Sequence, residues 1–91
     1  MENLDIRVVK VAKVVFGRRY LEKLTKVYAA GFDSTRIQIS IIKVVYDRTY
    51  DFDSALDLAK VDYRDLLVVA GFENNELEHL KWADRLIQKF E

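Results

Sequence analysis

The stretch Arg36-Ile37-Gln38-Ile39-Ser40-Ile41 decides the fold class. Polar and apolar residues alternate over these six positions, which is the period of a half-buried strand. Over the longer segment Asp33 to Arg48 the pattern changes. Arg36, Ser40, Lys43 and Asp47 keep helical spacing, and so do Ile37, Ile41 and Val44 with Val45. The longer pattern outweighs the shorter one. The segment reads as a helix, with Gln38 and Ile39 as the residues that fit it worst.

On the N-terminal side of this stretch lies the corner Ala29-Ala30-Gly31-Phe32-Asp33-Ser34. A closely similar corner, Ala70-Gly71-Phe72-Glu73, follows forty residues later. In each, glycine stands after the last periodic apolar residue, where a left-handed cap needs no Cβ. The following phenylalanine can fold back on the helix. Phe32 with Ile37, and Phe72 with Leu77, share the five-residue offset of a hydrophobic staple, as do Val61 and Leu66. Asp62 is placed to accept from the amide three residues on. Outside the corners there is little self-similarity, so two helical hairpins that share corner chemistry are expected rather than a repeat array.

The remaining segments follow the same period. In residues 4–16, Arg7, Lys10 and Lys13 fall on one helical stripe and Leu4, Val8, Val11 and Val15 on another, with Asn3 as cap and Gly17 as stop. Residues 18–30 give a second helix with Leu21, Leu24, Val27 and Tyr28 as its apolar face. Asp53 is expected to cap a helix from Ser54 to Lys60. Leu56, Ala59, Tyr63, Leu66 and Ala70 keep one face across Val61 and Asp62, so a single bent helix over 54–70 competes with two short ones. The last helix, 74–90, is expected to bury Leu77, Leu80, Ala83, Ile87 and Phe90. The fold class is therefore all-α: one domain over 1–91, a bundle of five or six short helices built from helical hairpins.

The chain has 91 residues, 51% hydrophobic and 33% charged, with no proline, three glycines and no cysteine. This is a globular composition. Without cysteine there is no disulfide, thiolate metal site or cysteine nucleophile. The start Met1-Glu2-Asn3-Leu4-Asp5 lacks the basic, apolar form of a secretory signal. No apolar run approaches the roughly twenty residues of a membrane span. A soluble, cytoplasmic protein without membrane contact is expected.

Formal net charge is zero, but residues 1–50 hold ten Lys/Arg against five Asp/Glu, and residues 51–91 hold five against ten. Such a split marks a basic binding surface, or halves that attract one another within or between chains. The basic set Arg7, Lys10, Lys13, Arg18, Arg19, Lys23, Lys26 and Arg36 is the candidate for nucleic-acid phosphates. The corner at Gly31 has the outline of a helix-turn-helix, whose following helix would offer Arg36 and Gln38 to base edges. Lys26 stands where that motif carries an apolar residue, which counts against it.

Catalytic chemistry is poorly supplied. His79 is the single histidine, one turn from Glu76, whose carboxylate would raise its pKa. Glu76-x-x-His79 has the spacing of a di-iron ligand pair but lacks a second motif. Asp51, Asp53 and Asp57 lack the rest of a calcium loop. No catalytic, metal or cofactor-binding set is expected, and no enzyme.

The tyrosines at 20, 28, 46, 50 and 63 and the single Trp82 suit a core or an interface. Val9, Val14, Ile39, Ile42, Val61, Val68 and Val69 fall off the main stripes of their helices. A monomer of this size is not expected to cover them all. The candidate interface is therefore Ile39, Ile42, Val61, Val68, Val69 and Trp82. The expected function is a non-catalytic helical protein–protein interaction or oligomerisation module. Its partner would be a second copy or another helical protein. The alternative is a nucleic-acid-binding domain built on the basic first two helices.

Overall fold

The computed structural model describes residues 4–90. Every regular element in it is helical. Helix α1 spans Ile6–Phe16, a 3-10 turn spans Gly17–Arg19, and α2 spans Tyr20–Ala29. Then come α3 at Thr35–Tyr46, α4 at Phe52–Ala70 and α5 at Glu78–Phe90. The all-α class holds. The division into five or six short helices does not hold in detail. α1 passes into α2 through the 3-10 turn with no loop between them, and α4 is a 19-residue element.

Helix α3 is the axis of the molecule. It packs on α4 along one side and on α1 and α5 along others. Gln38, Ile39, Ser40, Ile41, Ile42 and Val44 are all buried. This explains the strand-like alternation. A helix covered nearly all round has no polar face to preserve, so its polar residues can fall anywhere that a bond is available. Gln38 Nε2 donates to the Phe32 carbonyl at 2.9 Å, and Ser40 Oγ donates to the Arg36 carbonyl at 2.7 Å. Ser40, on the same stripe as Arg36, Lys43 and Asp47, lies inside because it can bond its own helix. Ser34 caps α3, accepting from the Ile37 amide.

The corners form as their glycines imply. After α4, the Gly71 amide donates to the Val68 carbonyl at 3.0 Å and the Phe72 amide to Leu67 at 2.9 Å. After α2, Gly31 donates to Tyr28 and Phe32 to Val27 in the same arrangement. Both are Schellman caps with a left-handed glycine. Phe72 is buried, but Leu77 is exposed, so the staple drawn between them does not form. Val61 is 83% exposed and does not staple Leu66 either.

Four boundaries move for local reasons. Asn3 lies outside the described residues; Asp5 caps α1 by accepting from the Arg7 amide at 2.8 Å. Asp51, not Asp53, caps α4, accepting from the Ser54 amide at 2.8 Å. α4 is two helical stretches that meet at a kink, where Asp62 is extended (φ −158°, ψ 102°). There Asp62 accepts from the amide of Arg64, two residues on rather than three. The last helix starts at Glu78, because Asn75 turns the chain first by accepting from the Leu77 amide.

The apolar faces shift accordingly. α2 buries Leu24 and Val27 but leaves Leu21 and Tyr28 exposed, since its one major helical neighbour is α1. In α4, Tyr63 turns outward just beyond the bend, while Leu66 and Ala70 stay inside. α5 buries His79, Ala83 and Leu86, whereas Leu77 and Phe90 are exposed. No helix among the described residues is long and apolar enough to cross a membrane.

Candidate functional site

The sequence marked six apolar residues for an interface, and the structure separates them. Ile39 and Ile42 are fully buried in α3 and face the core. They fall off the main stripe because α3 has neighbours on several sides. They are therefore withdrawn as contact residues for a partner. Trp82 is half-buried, edge-on to Tyr46 at 6.0 Å, and borders a shallow cavity of about 180 Å³ with Arg85, Leu86 and Lys89.

Val61, Val68 and Val69 remain. Val61 stands at the bend of α4, and Val68 is 57% exposed. Within the distal half of α4, Asp65, Val68 and Val69 share one outward face by their i, i+3 and i+4 spacing. The main neighbour of α4 is α3. That contact is on its inner side, where Leu66, Leu67 and Ala70 are buried, so the outer side has aliphatic side chains in water. Arg64 turns back on Asp62, with Nε and Nη2 at 3.1 and 3.3 Å from its two carboxylate oxygens. These bonds and the Arg64 amide hold the Asp62 carboxyl below its ordinary range.

The basic set is dispersed. Arg7 spans to α5, its Nε 2.9 Å from Asp84. Lys23 lies over the Phe52 ring at 4.7 Å and Lys26 lies 3.6 Å from Glu22. Arg36 donates from Nη2 to the Phe72 carbonyl, tying α3 to the corner after α4. Arg18 and Arg19 are exposed in the 3-10 turn. Lys13 lies over Tyr20 at 5.2 Å. Lys10 and Lys13 also line a groove of about 260 Å³ whose apolar walls are Val14 of α1 and Ile87 of α5. Sequence reading did not foresee this groove, since nothing local pairs Ile87 with Val14. The helix after Gly31 is the buried α3, and Gln38 is turned inward, so it does not present a recognition face.

His79 is buried, with its ring 6.2 Å from that of Phe72. Its pKa is lowered, first by burial and then by the positive charge of Arg36. Asp5 and the Glu76 carbonyl oppose the shift weakly. This reverses the expectation of a rise driven by the Glu76 carboxylate, which is exposed and stands ahead of α5. His79 borders neither cavity described above. Its Nδ1 and the Nε of Arg36 are buried without a protein hydrogen-bond partner. Among the described residues, no three His, Asp or Glu side chains come together as a metal ion would need. No known protein family matches this chain, and neither a curated protein nor a solved structure matches it.

Proposed function

We propose that the protein is a non-catalytic interaction module that associates through the outer face of the distal half of α4. The observation that carries this reading is that Val68 and Val69 are exposed together on one face of distal α4, with Val61 exposed at the bend. The total accessible surface is 5635 Å², against about 5,500 Å² expected for a folded monomer of this size. The single chain is therefore as compact as a monomer of its length, and the valines lie outside its core. Solvent-exposed aliphatics grouped on one helix face mark association surfaces more than isolated ones do.

The test is the mass in solution by light scattering, for the parent and for Val68→Asp. The parent should associate and the variant should not, with the same helical circular dichroism. An unchanged mass with an intact fold would remove the α4 face from consideration.

Phosphate binding by exposed Arg18, Arg19, Lys10 and Lys13 is the second reading. It would show as DNA or RNA binding that weakens steeply with salt and is reduced by Lys10→Ala with Lys13→Ala. No binding at about 50 mM salt ends it.

A further inference from the structure

We infer that the partner is a second copy of this chain, docked head to tail: the outer face of distal α4 on one copy seats in the α1–α5 groove of the next. This rests on the α4 reading and adds the identity of the opposing surface.

Charge complementarity chooses the occupant. Residues 6–29 hold seven Lys/Arg against one Glu, and residues 61–76 hold four acids against one Arg. The groove presents Lys10 and Lys13 beside the aliphatic walls of Val14 and Ile87. The α4 face presents Asp65 beside Val68 and Val69. The one opposing cation of that segment, Arg64, is already folded onto Asp62. Each surface thus offers what the other lacks, an apolar contact flanked by opposite charge. The groove is open to solvent along its length rather than enclosed. It suits aliphatic side chains that project from a helix.

Topology chooses the arrangement. α1 and α5 pack on each other and on α3, whereas α4 makes no comparable interface with α1 or α5. The two surfaces are therefore separate places on one molecule. A two-fold pairing of α4 faces would set acid against acid and leave the lysine groove empty. A contact between unlike surfaces uses both, and it propagates into a ring or a filament.

The experiment uses two full-length variants. Lys10→Glu with Lys13→Glu disables the groove and keeps the α4 face. Val61→Lys with Val68→Lys disables the face, because cations there oppose Lys10 and Lys13, and keeps the groove. All four positions are exposed. Sedimentation velocity of the parent at low salt should show mass growing with concentration beyond a dimer. Each variant alone should associate roughly ten-fold more weakly or worse. Mixed in equal amounts they should associate again, because the intact face of one meets the intact groove of the other. If the groove variant still dimerises alone, α4 pairs with α4, and the head-to-tail arrangement is wrong while the α4 reading stands. If the parent associates but the mixture does not, the groove is not the acceptor. If the parent is monomeric at every concentration, both readings fall. Should either variant lose its helical signal, Lys10→Gln with Lys13→Gln and Val68→Ser are the milder pair, with the same expected outcomes.

Discussion

Helix α3 and the distal half of α4 are written in similar residues and meet opposite fates. Ile37, Ile39, Ile41, Ile42 and Val44 in one, and Leu66, Leu67, Val68 and Val69 in the other, spread aliphatics beyond a single stripe. In α3 most of these are covered, because α1, α4 and α5 surround it. In α4 half are in water, because its main neighbour is α3. Apolar excess in a helix therefore measures how many neighbours it can accept. Which neighbours it receives is settled by the order and length of the other elements.

The largest expected effect tests that contrast directly. Ile42→Asp places an unpaired charge where no water reaches. Its cost is several kcal/mol, against a total stability of about 5–13 kcal/mol for a domain of this length. The variant should lose its cooperative thermal transition or melt at far lower temperature. Val68→Asp should cost about 1 kcal/mol or less, from a negative charge in the last turn of α4. Melting both by circular dichroism decides the matter. A folded Ile42→Asp with a near-parental midpoint would show that α3 is not enclosed.

Gln38 sharpens the comparison from the polar side. It is buried and bonded to the Phe32 carbonyl. Gln38→Leu keeps much of the volume and leaves that carbonyl without its donor, at a cost of about 1–3 kcal/mol. An exposed polar residue on distal α4, such as Arg64, should tolerate the same change with a far smaller loss. Equal losses at the two positions, measured in urea, would contradict the burial difference.

His79 gives the pH dependence. Burial and Arg36 lower its folded pKa beneath 6.5, so the unfolded chain takes up the proton first. The stabilising contribution of the neutral ring is fully present above about pH 6.5. It is lost as the pH falls from there through the folded pKa. The urea midpoint of the parent should drop between pH 7.5 and 5, and His79→Phe should flatten that drop. A slope that survives the substitution would assign it to other groups. Asp51 and Asp62 act in a lower window, since their folded pKa values lie below the ordinary carboxylate range.

These comparisons also show what was legible in the sequence. Local signals were read well where the cause is local. Gly31 and Gly71 end their helices because a left-handed residue is needed there, and Val8 and Val11 lie inside because they share a stripe. The burial of Ile39, Ile42 and Ser40 was not legible, since it depends on neighbours far away in the chain. The bend at Asp62 was legible only as an alternative, because the apolar face continues across it. The α1–α5 groove joins Val14 to Ile87, more than seventy residues apart, and carries no pattern in either segment. Val68 and Val69 of α4 and Ile39 and Ile42 of α3 all fall off the stripes of their helices, and the structure exposes the first two and buries the others.

The smallest effect concerns a third corner. α3 ends with the Arg48 amide donating to Val45 and the Thr49 amide to Val44, both at 3.0 Å. This is the bonding found after Gly31 and Gly71, yet the left-handed position (φ 61°) is held by arginine. Sequence reading missed it because no glycine marks it. A Cβ costs about 1–2 kcal/mol in this conformation, and glycine gives back part of that through its freer unfolded chain. Arg48→Gly should therefore stabilise the fold by roughly 0.5–1 kcal/mol, a rise of a few degrees in Tm. Gly71→Ala should lose about as much, because a Cβ there meets nothing within 4 Å and the penalty is the backbone alone. The pair separates two causes that either change alone would confuse. Opposite shifts of similar size identify backbone conformation. A loss from Arg48→Gly would instead mean that the arginine side chain contributes more than its strained backbone costs.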